Sequence, residues 1–265
     1  MSTAVLNRPQ PVDVGVVFAL AAEQGCFEDL LGDVERFETE AGVVRIGTLD
    51  GRTVATIISG PGRPAAAHAC EALIAAHRPR LVISAGFCGG LQLQLKRNAI
   101  AIADRILATN GSGYECDRAP LAQFDLSPGA VGPWMTVDRI IAKSAEKKSL
   151  GERTGAIACE MESLAVAEAC RARGASCFAV RVVSDPVDED LPGDLDLLLQ
   201  PKSTAGMVGA VLGTLWRRPS SIKDLLRLKE NSLVAADTLA NYLAGIVRQL
   251  PRSERSPPES TEPRT

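Results

Sequence analysis

The sequence predicts one α/β domain built around a largely parallel central sheet, and two observations carry that expectation. Short, nearly continuous apolar runs recur at 12–20 (VDVGVVFAL), 81–85 (LVISA), 99–107 and 177–184 (CFAVRVVS). Such runs suit strands buried on both faces. Helical stretches at 64–77 and 161–174 alternate with them, the order expected when crossovers join parallel strands.

Residues 1–11 read as a flexible leader. The first strand is 12–20. Two β-branched runs between 43 and 59 flank Asp50-Gly51 and predict a hairpin. The Ala-rich helix 64–77 has Pro64 in its first turn. The strand 81–85 leads into a Gly-rich turn, Gly86 to Gly90, and 99–107 is a further strand. Residues 110–133 read as irregular, and 134–147 as holding a short helix. The stretch 154–159 is read as a strand leading into helix 161–174. That helix carries Met161, Leu164, Ala165 and Ala169 on one face and ends at Gly174. After the strand 177–184 comes an acidic, proline-containing loop at 186–201. Helices at 204–216 and 221–249 follow, split by Pro219. The domain spans 12–250, and 251–265 reads as a disordered tail rich in Pro, Ser and charge.

Composition excludes several function classes. The 265 residues are 46% hydrophobic, enough for a substantial core. A net charge of −3 leaves no electrostatic footprint for nucleic acid. The seven cysteines include no Cys-x-x-Cys pair, and only His68 and His77 are available beside them, so no familiar zinc spacing arises. Buried, reduced cysteines and a cytoplasmic location are expected. The N-terminal residues lack a signal-peptide core, and no run of about 18 apolar residues predicts a membrane span.

Four features then fall at strand ends: Glu23, the glycines 86–90, Glu160-Met161-Glu162, and Ser184-Asp185. In open α/β sheets the ligand crevice lies beyond the carboxyl ends of the strands. If these strands run parallel, three carboxylates and a glycine-rich segment converge on one cleft. Each feature also has a plainer reading. Glu23 and Glu162 suit helix starts, and Asp185 suits a turn before Pro186. The glycines of SGPGR (59–63) suit the turn into helix 64–77. Cys88 has no nearby His to activate it and reads as structural.

Five segments in order, VGVVFALAAE (14–23), SGPGR (59–63), SAGFCGGL (84–91), ACEMES (158–163) and VRVVSD (180–185), carry a resemblance. The chain resembles the purine nucleoside phosphorylase/uridine phosphorylase family. Within it, the chain is similar to the methylthioadenosine/S-adenosylhomocysteine nucleosidases and the hopanoid-associated phosphorylases. The resemblance implies a three-layer αβα sandwich with a central mixed, largely parallel sheet. It also implies a homo-oligomer that cleaves the N-glycosidic bond of a purine nucleoside, with no cofactor beyond phosphate if it is a phosphorylase.

That chemistry needs an acid for the departing purine and negative charge or hydroxyl contacts at the ribose. It also needs a base for water or a site for phosphate. By resemblance Asp185 is the acid, oriented by Ser184, and Glu23 is the base for water. Gly86, Phe87, Cys88, Gly89, Ile140, Glu160, Met161 and Glu162 line the substrate, with Glu162 holding ribose hydroxyls. The stretch FALAAEQ lacks the arginine with which phosphorylases bind phosphate, which favours hydrolysis. Arg63, Arg139 and Arg181 remain candidates for phosphate. Phe87 replaces a small polar residue of the nucleosidases, and Ile140 stands where they stack an aromatic on adenine. The stretch 207–228 is apolar and then basic. It reads either as a helix capping the domain or as a contact for a lipid-like 5′ substituent or a membrane surface, as an adenosylhopane substrate would require.

Overall fold

The computed structural model describes residues 11–116, 121–191 and 220–251, with side chains of the last segment from Glu230 onward. Strand β1 (Val14–Phe18) is wholly buried. It pairs in parallel with β4 (Arg52–Ile58) on one side and with β5 (Leu81–Gly90) on the other. β10 (Ser176–Asp185) continues the parallel run beyond β5. This central run holds three of the four apolar runs, those in β1, β5 and β10, as doubly buried strands should. Antiparallel pairings add β3 (Gly42–Leu49) and β2 (Gly32–Thr39) beyond β4. The sheet is thus mixed, with its parallel part in the middle.

On the far side the sheet closes on itself. β10 pairs antiparallel with β6 (Ile100–Ala108), β6 pairs with β8 (Ala130–Thr136), and β8 pairs with β9 (Ala158–Glu160). β9 then returns to Gly89 and Gly90 of β5. The short strand β7 (Gly113–Glu115) hangs from β6. This ring brings the ends of β5, β9 and β10 together.

Helices complete the layers. α1 (Ala21–Glu28) packs against the C-terminal helix α5 (Ser220–Gln249), and α2 (Arg63–His77) packs against α4 (Ser163–Ala172). Between β8 and β9 lies α3 (Ser144–Thr154). One apolar core runs through the sheet and all four packed helices. No described helix is long and apolar enough to cross a membrane.

Several sequence expectations change. The segment Gly86 to Gly90 is not a turn. β5 continues through it, because Phe87, Cys88 and Gly89 pair with Val182, Val183 and Asp185. The short helix expected within 134–147 begins only at Ser144, as the start of α3, and 134–136 end β8. The stretch read as irregular at 110–133 contains β7 and the start of β8. Strand 154–159 shrinks to β9, since α3 runs through Thr154. β2 was not expected at all, and α1 only as the helix start that Glu23 suits. The expected helix 204–216, the second half of the acidic loop and nearly all of the leader and tail lie outside the described residues. So does 207–219, and the side chains of the rest of 207–228 are likewise undescribed.

Candidate active site

Glu23 sits in the first turn of α1, directly after β1, and is buried. One carboxylate oxygen accepts the backbone N–H groups of Ala19 (2.9 Å) and Leu20 (2.8 Å), and the other accepts the N–H of Phe87 (2.8 Å). Burial pushes its pKa above the ordinary carboxylate value, against the opposing pull of Arg181 and these three N–H groups. Gly86 makes the arrangement possible. A Cβ there would lie 2.5 Å from Glu23 Oε1 and 2.9 Å from Arg181 Nη1, closer than atoms pack.

Arg181 lies mid-way along β10 and is 1% exposed. It donates to Glu160 Oε2 at 2.8 Å and stands 3.6 Å from Glu162 Oε2. The hydroxyls of Ser84 and Ser163 are 3.3 and 3.2 Å from the same nitrogen. One buried cation therefore faces three buried carboxylates, those of Glu23, Glu160 and Glu162.

Glu160 was expected among the substrate-binding residues, and in the structure its carboxylate is engaged within the protein. Its two oxygens already receive Thr136 Oγ1 (2.5 Å), the N–H groups of Glu162 (2.9 Å) and Ser163 (2.7 Å), and Arg181. It holds the start of α4 in place and has little acceptor capacity left for a ligand. Burial works against its charge, but Arg181 and these donors together bring its pKa below the ordinary value.

Glu162 has more freedom. It accepts one backbone N–H, from Gly62 at 2.7 Å. Burial and the neighbouring Glu160 charge push its pKa up to about 7, against Arg181 and Gly62. Gly60 and Gly62 hold φ of +84° and +94°, in the left-handed region, so the SGPGR glycines shape the turn into α2. They deliver an N–H to Glu162 rather than forming a separate phosphate cradle.

This shift has a consequence for stability. The folded state binds the Glu162 proton more tightly than the unfolded chain does, so its contribution is largest below about 4.5 and disappears as pH rises through about 7. Glu23 and Asp185, also raised, act in the same direction. Denaturant unfolding followed across this range should show stability falling with pH. Glu162→Gln should remove roughly 3 kcal/mol of that fall. An unchanged slope in the variant would refute the assignment.

Asp185 ends β10 and is 5% exposed. Ser184 Oγ lies 2.6 Å from Oδ1, and Lys147 Nζ lies 2.9 Å from Oδ2. Burial pushes the pKa of Asp185 up, opposed by Lys147 and Ser184. The Ser184 hydroxyl is also 3.2 Å from the Cys88 carbonyl oxygen. It has a single hydrogen for two acceptors. A protonated Asp185 resolves the conflict, donating from Oδ1 to Ser184, which then donates to Cys88.

β5 spaces these groups. Glu23 is tied to Phe87, and Asp185 is paired with Gly89. At about 3.3 Å per residue the two anchor points lie ~7 Å apart along the strand. Cys88, between them, is a buried thiol pushed well above its usual range by burial first and by its acidic neighbours, so it is no nucleophile. Met161 is half-buried and, with Pro64, Ala67, Val137 and Ala165, lines a cleft of about 510 Å³ beside Glu162. Neither Glu23 nor Asp185 lines it. Ile140 lies in the β8–α3 connection and is half-buried. Of the candidate phosphate cations, Arg63 pairs with Asp138 at 2.5 Å and Arg139 with Glu146, both near the surface, while Arg181 is enclosed by carboxylates.

Sequence reasoning missed Lys147. The signal lay in its spacing, because 147, 150 and 151 form the buried face of α3.

Comparison with known proteins agrees with this architecture. A 5′-methylthioadenosine/S-adenosylhomocysteine nucleosidase of Shewanella baltica is 30% identical over 218 residues, covering 70% of this chain and 89% of that protein. The Helicobacter pylori enzyme of the same name, crystallised in complex with a substituted pyrrolidin-3-ol, superposes with a TM-score of 0.70 at 19% identity, covering 92% of this chain and all of that one. Futalosine hydrolase of Helicobacter pylori superposes with a TM-score of 0.69 at 18% identity, covering 91% and 99%. Residues 13–206 match the phosphorylase superfamily, and the chain belongs to that family.

Proposed function

We propose that this protein hydrolyses the N-glycosidic bond of a purine nucleoside and releases adenine from a 5′-substituted adenosine. The observation that carries the reading is the placement of two buried carboxyls, Glu23 and Asp185, at opposite ends of the segment Phe87 to Gly89. Asp185 is the acid. Burial favours its protonated form, and the proton passes from Oδ1 to the purine as the glycosidic bond breaks. Ser184 then turns its hydrogen to the new carboxylate, and Lys147 balances the charge.

Glu162 faces the ribose, where a carboxylate stabilises developing oxocarbenium character. Glu23 orients and deprotonates the water that attacks the anomeric carbon. The pairing of Arg63 and Arg139 with surface carboxylates, and the enclosure of Arg181, support water over phosphate as nucleophile. The nucleosidase names of the relatives support the same substrate class.

The test is adenine release from methylthioadenosine, S-adenosylhomocysteine and a lipid-substituted adenosine, each with and without phosphate. Release independent of phosphate is expected. Release only with phosphate would overturn hydrolysis in favour of phosphorolysis. Binding without release would make the protein a nucleoside-binding module.

A further inference from the structure

Lys147 is a fully buried lysine on a mostly polar helix whose buried face it shares with Leu150 and Gly151. Its helix is held close to the sheet. At Gly151, one turn on, a Cβ would lie 2.6 Å from the Leu91 carbonyl oxygen, so only glycine allows α3 to dock there. Docking aims Lys147 at the end of β10. Its Nζ donates to Asp185 Oδ2 at 2.9 Å and to the Pro186 carbonyl oxygen at 2.7 Å. A buried ammonium survives only with such partners.

We propose that Lys147 is a positioning residue for the leaving-group acid, clamping one oxygen of Asp185 and supplying the positive charge against which the carboxyl releases its proton. The inference rests on the acid role given to Asp185 above. With Oδ2 fixed by the ammonium, Oδ1 is the oxygen that carries the proton and faces Ser184. The charge change on proton transfer is confined to the pair: Asp185 goes from neutral to anionic beside a cation that does not move.

Other groups around Asp185 are arranged differently. From the β5–β6 connection, Arg97 bonds the Ser184 carbonyl and Glu189. From β5 comes Cys88 and from β9 comes Cys159, both thiols that feel the Asp185 charge, while Glu160 and Arg181 act on Cys88. Cys159 is a buried thiol, pushed up to about 12 by burial and then by Asp185. Arg181 is engaged by Glu160. Among the described residues, Lys147 is the one cation bonded to the Asp185 carboxyl.

The test compares wild type with Lys147→Met, Lys147→Gln and Lys147→Arg by two readouts. The first is the pH dependence of adenine release, whose alkaline limb reports loss of the Asp185 proton. The second is the infrared carboxylic-acid stretch of Asp185, identified by its absence in Asp185→Asn and titrated without substrate. In Lys147→Met and Lys147→Gln the carboxyl should hold its proton to higher pH. The alkaline limb should move with it, and the ratio of alkaline to neutral rates should rise several-fold. Lys147→Arg should retain the wild-type limb. Neutral variants tolerate folding because Asp185 is neutral at rest and keeps its proton when Lys147 is lost, so no buried charge is left unpaired. Rates lowered equally at every pH, with an unmoved infrared titration, would overturn the proposal and leave Lys147 a structural residue. Should the wild type release no purine at all, the hydrolase reading fails while the infrared titration still decides whether Lys147 acts on Asp185.

Discussion

Asp185→Asn lowers adenine release by about 10²–10⁴-fold, the range contributed by a positioned general acid, with nucleoside affinity changed little. Asparagine keeps the shape of the side chain and an acceptor for Lys147, but carries no transferable proton. The loss therefore falls on kcat. An aryl riboside whose leaving group departs as a stable anion needs no proton, and its hydrolysis by the variant should stay near the wild-type rate. That contrast separates a missing acid from a damaged fold. Purine release at a normal rate by Asp185→Asn would remove the residue from the mechanism. Equal losses on both substrates would mean that the variant had disturbed Glu23 or Glu162 instead. The steady-state rates of the two substrates, measured side by side, are the decisive comparison.

The strands that hold this site were legible because their doubly buried, β-branched sequences have few other stable places to go. VGVVF, LVISA and CFAVRVV all lie in the parallel centre. Elements at the margin were harder to read. β2 (GDVERFET) has most of its residues exposed and no apolar alternation. β8 contains Gly132 and Pro133, residues that ordinarily interrupt strands, and its pairing with β6 is irregular near Pro133. The glycines of β5 read as a turn for the same reason, yet Gly86 is needed where Glu23 and Arg181 crowd the strand.

In the site itself, the carboxylates were visible because each ends or closely follows a strand. Their partners were not. Nothing in a pair of adjacent lysines tells which is buried until Leu150 and Gly151 define the face of α3. Glu160 and Glu162 flank one methionine and look equivalent in sequence. Only the hydrogen bonds separate a carboxylate saturated by Thr136, two N–H groups and Arg181 from one that keeps acceptor capacity.

Arg181→Met should cost about 3–5 kcal/mol of stability near neutral pH, the penalty for leaving buried charge without its partner. The guanidinium is the common counter-ion of Glu160, at 2.8 Å, and Glu162, at 3.6 Å, and its field reaches Glu23. Without it the carboxylates repel one another in a site that excludes water. They respond by taking up protons, so the deficit should shrink as pH falls and grow as pH rises. The same protonation disables Glu23, which must be anionic to activate water, and adenine release should fall together with stability. Lysine at this position restores one charge but not the planar fork, and should recover stability only in part. Denaturant unfolding of the Met and Lys variants on both sides of neutrality tests this directly. A pH-independent deficit would mean that Arg181 contributes through packing, and the view of one cation organising three carboxylates would fall with it.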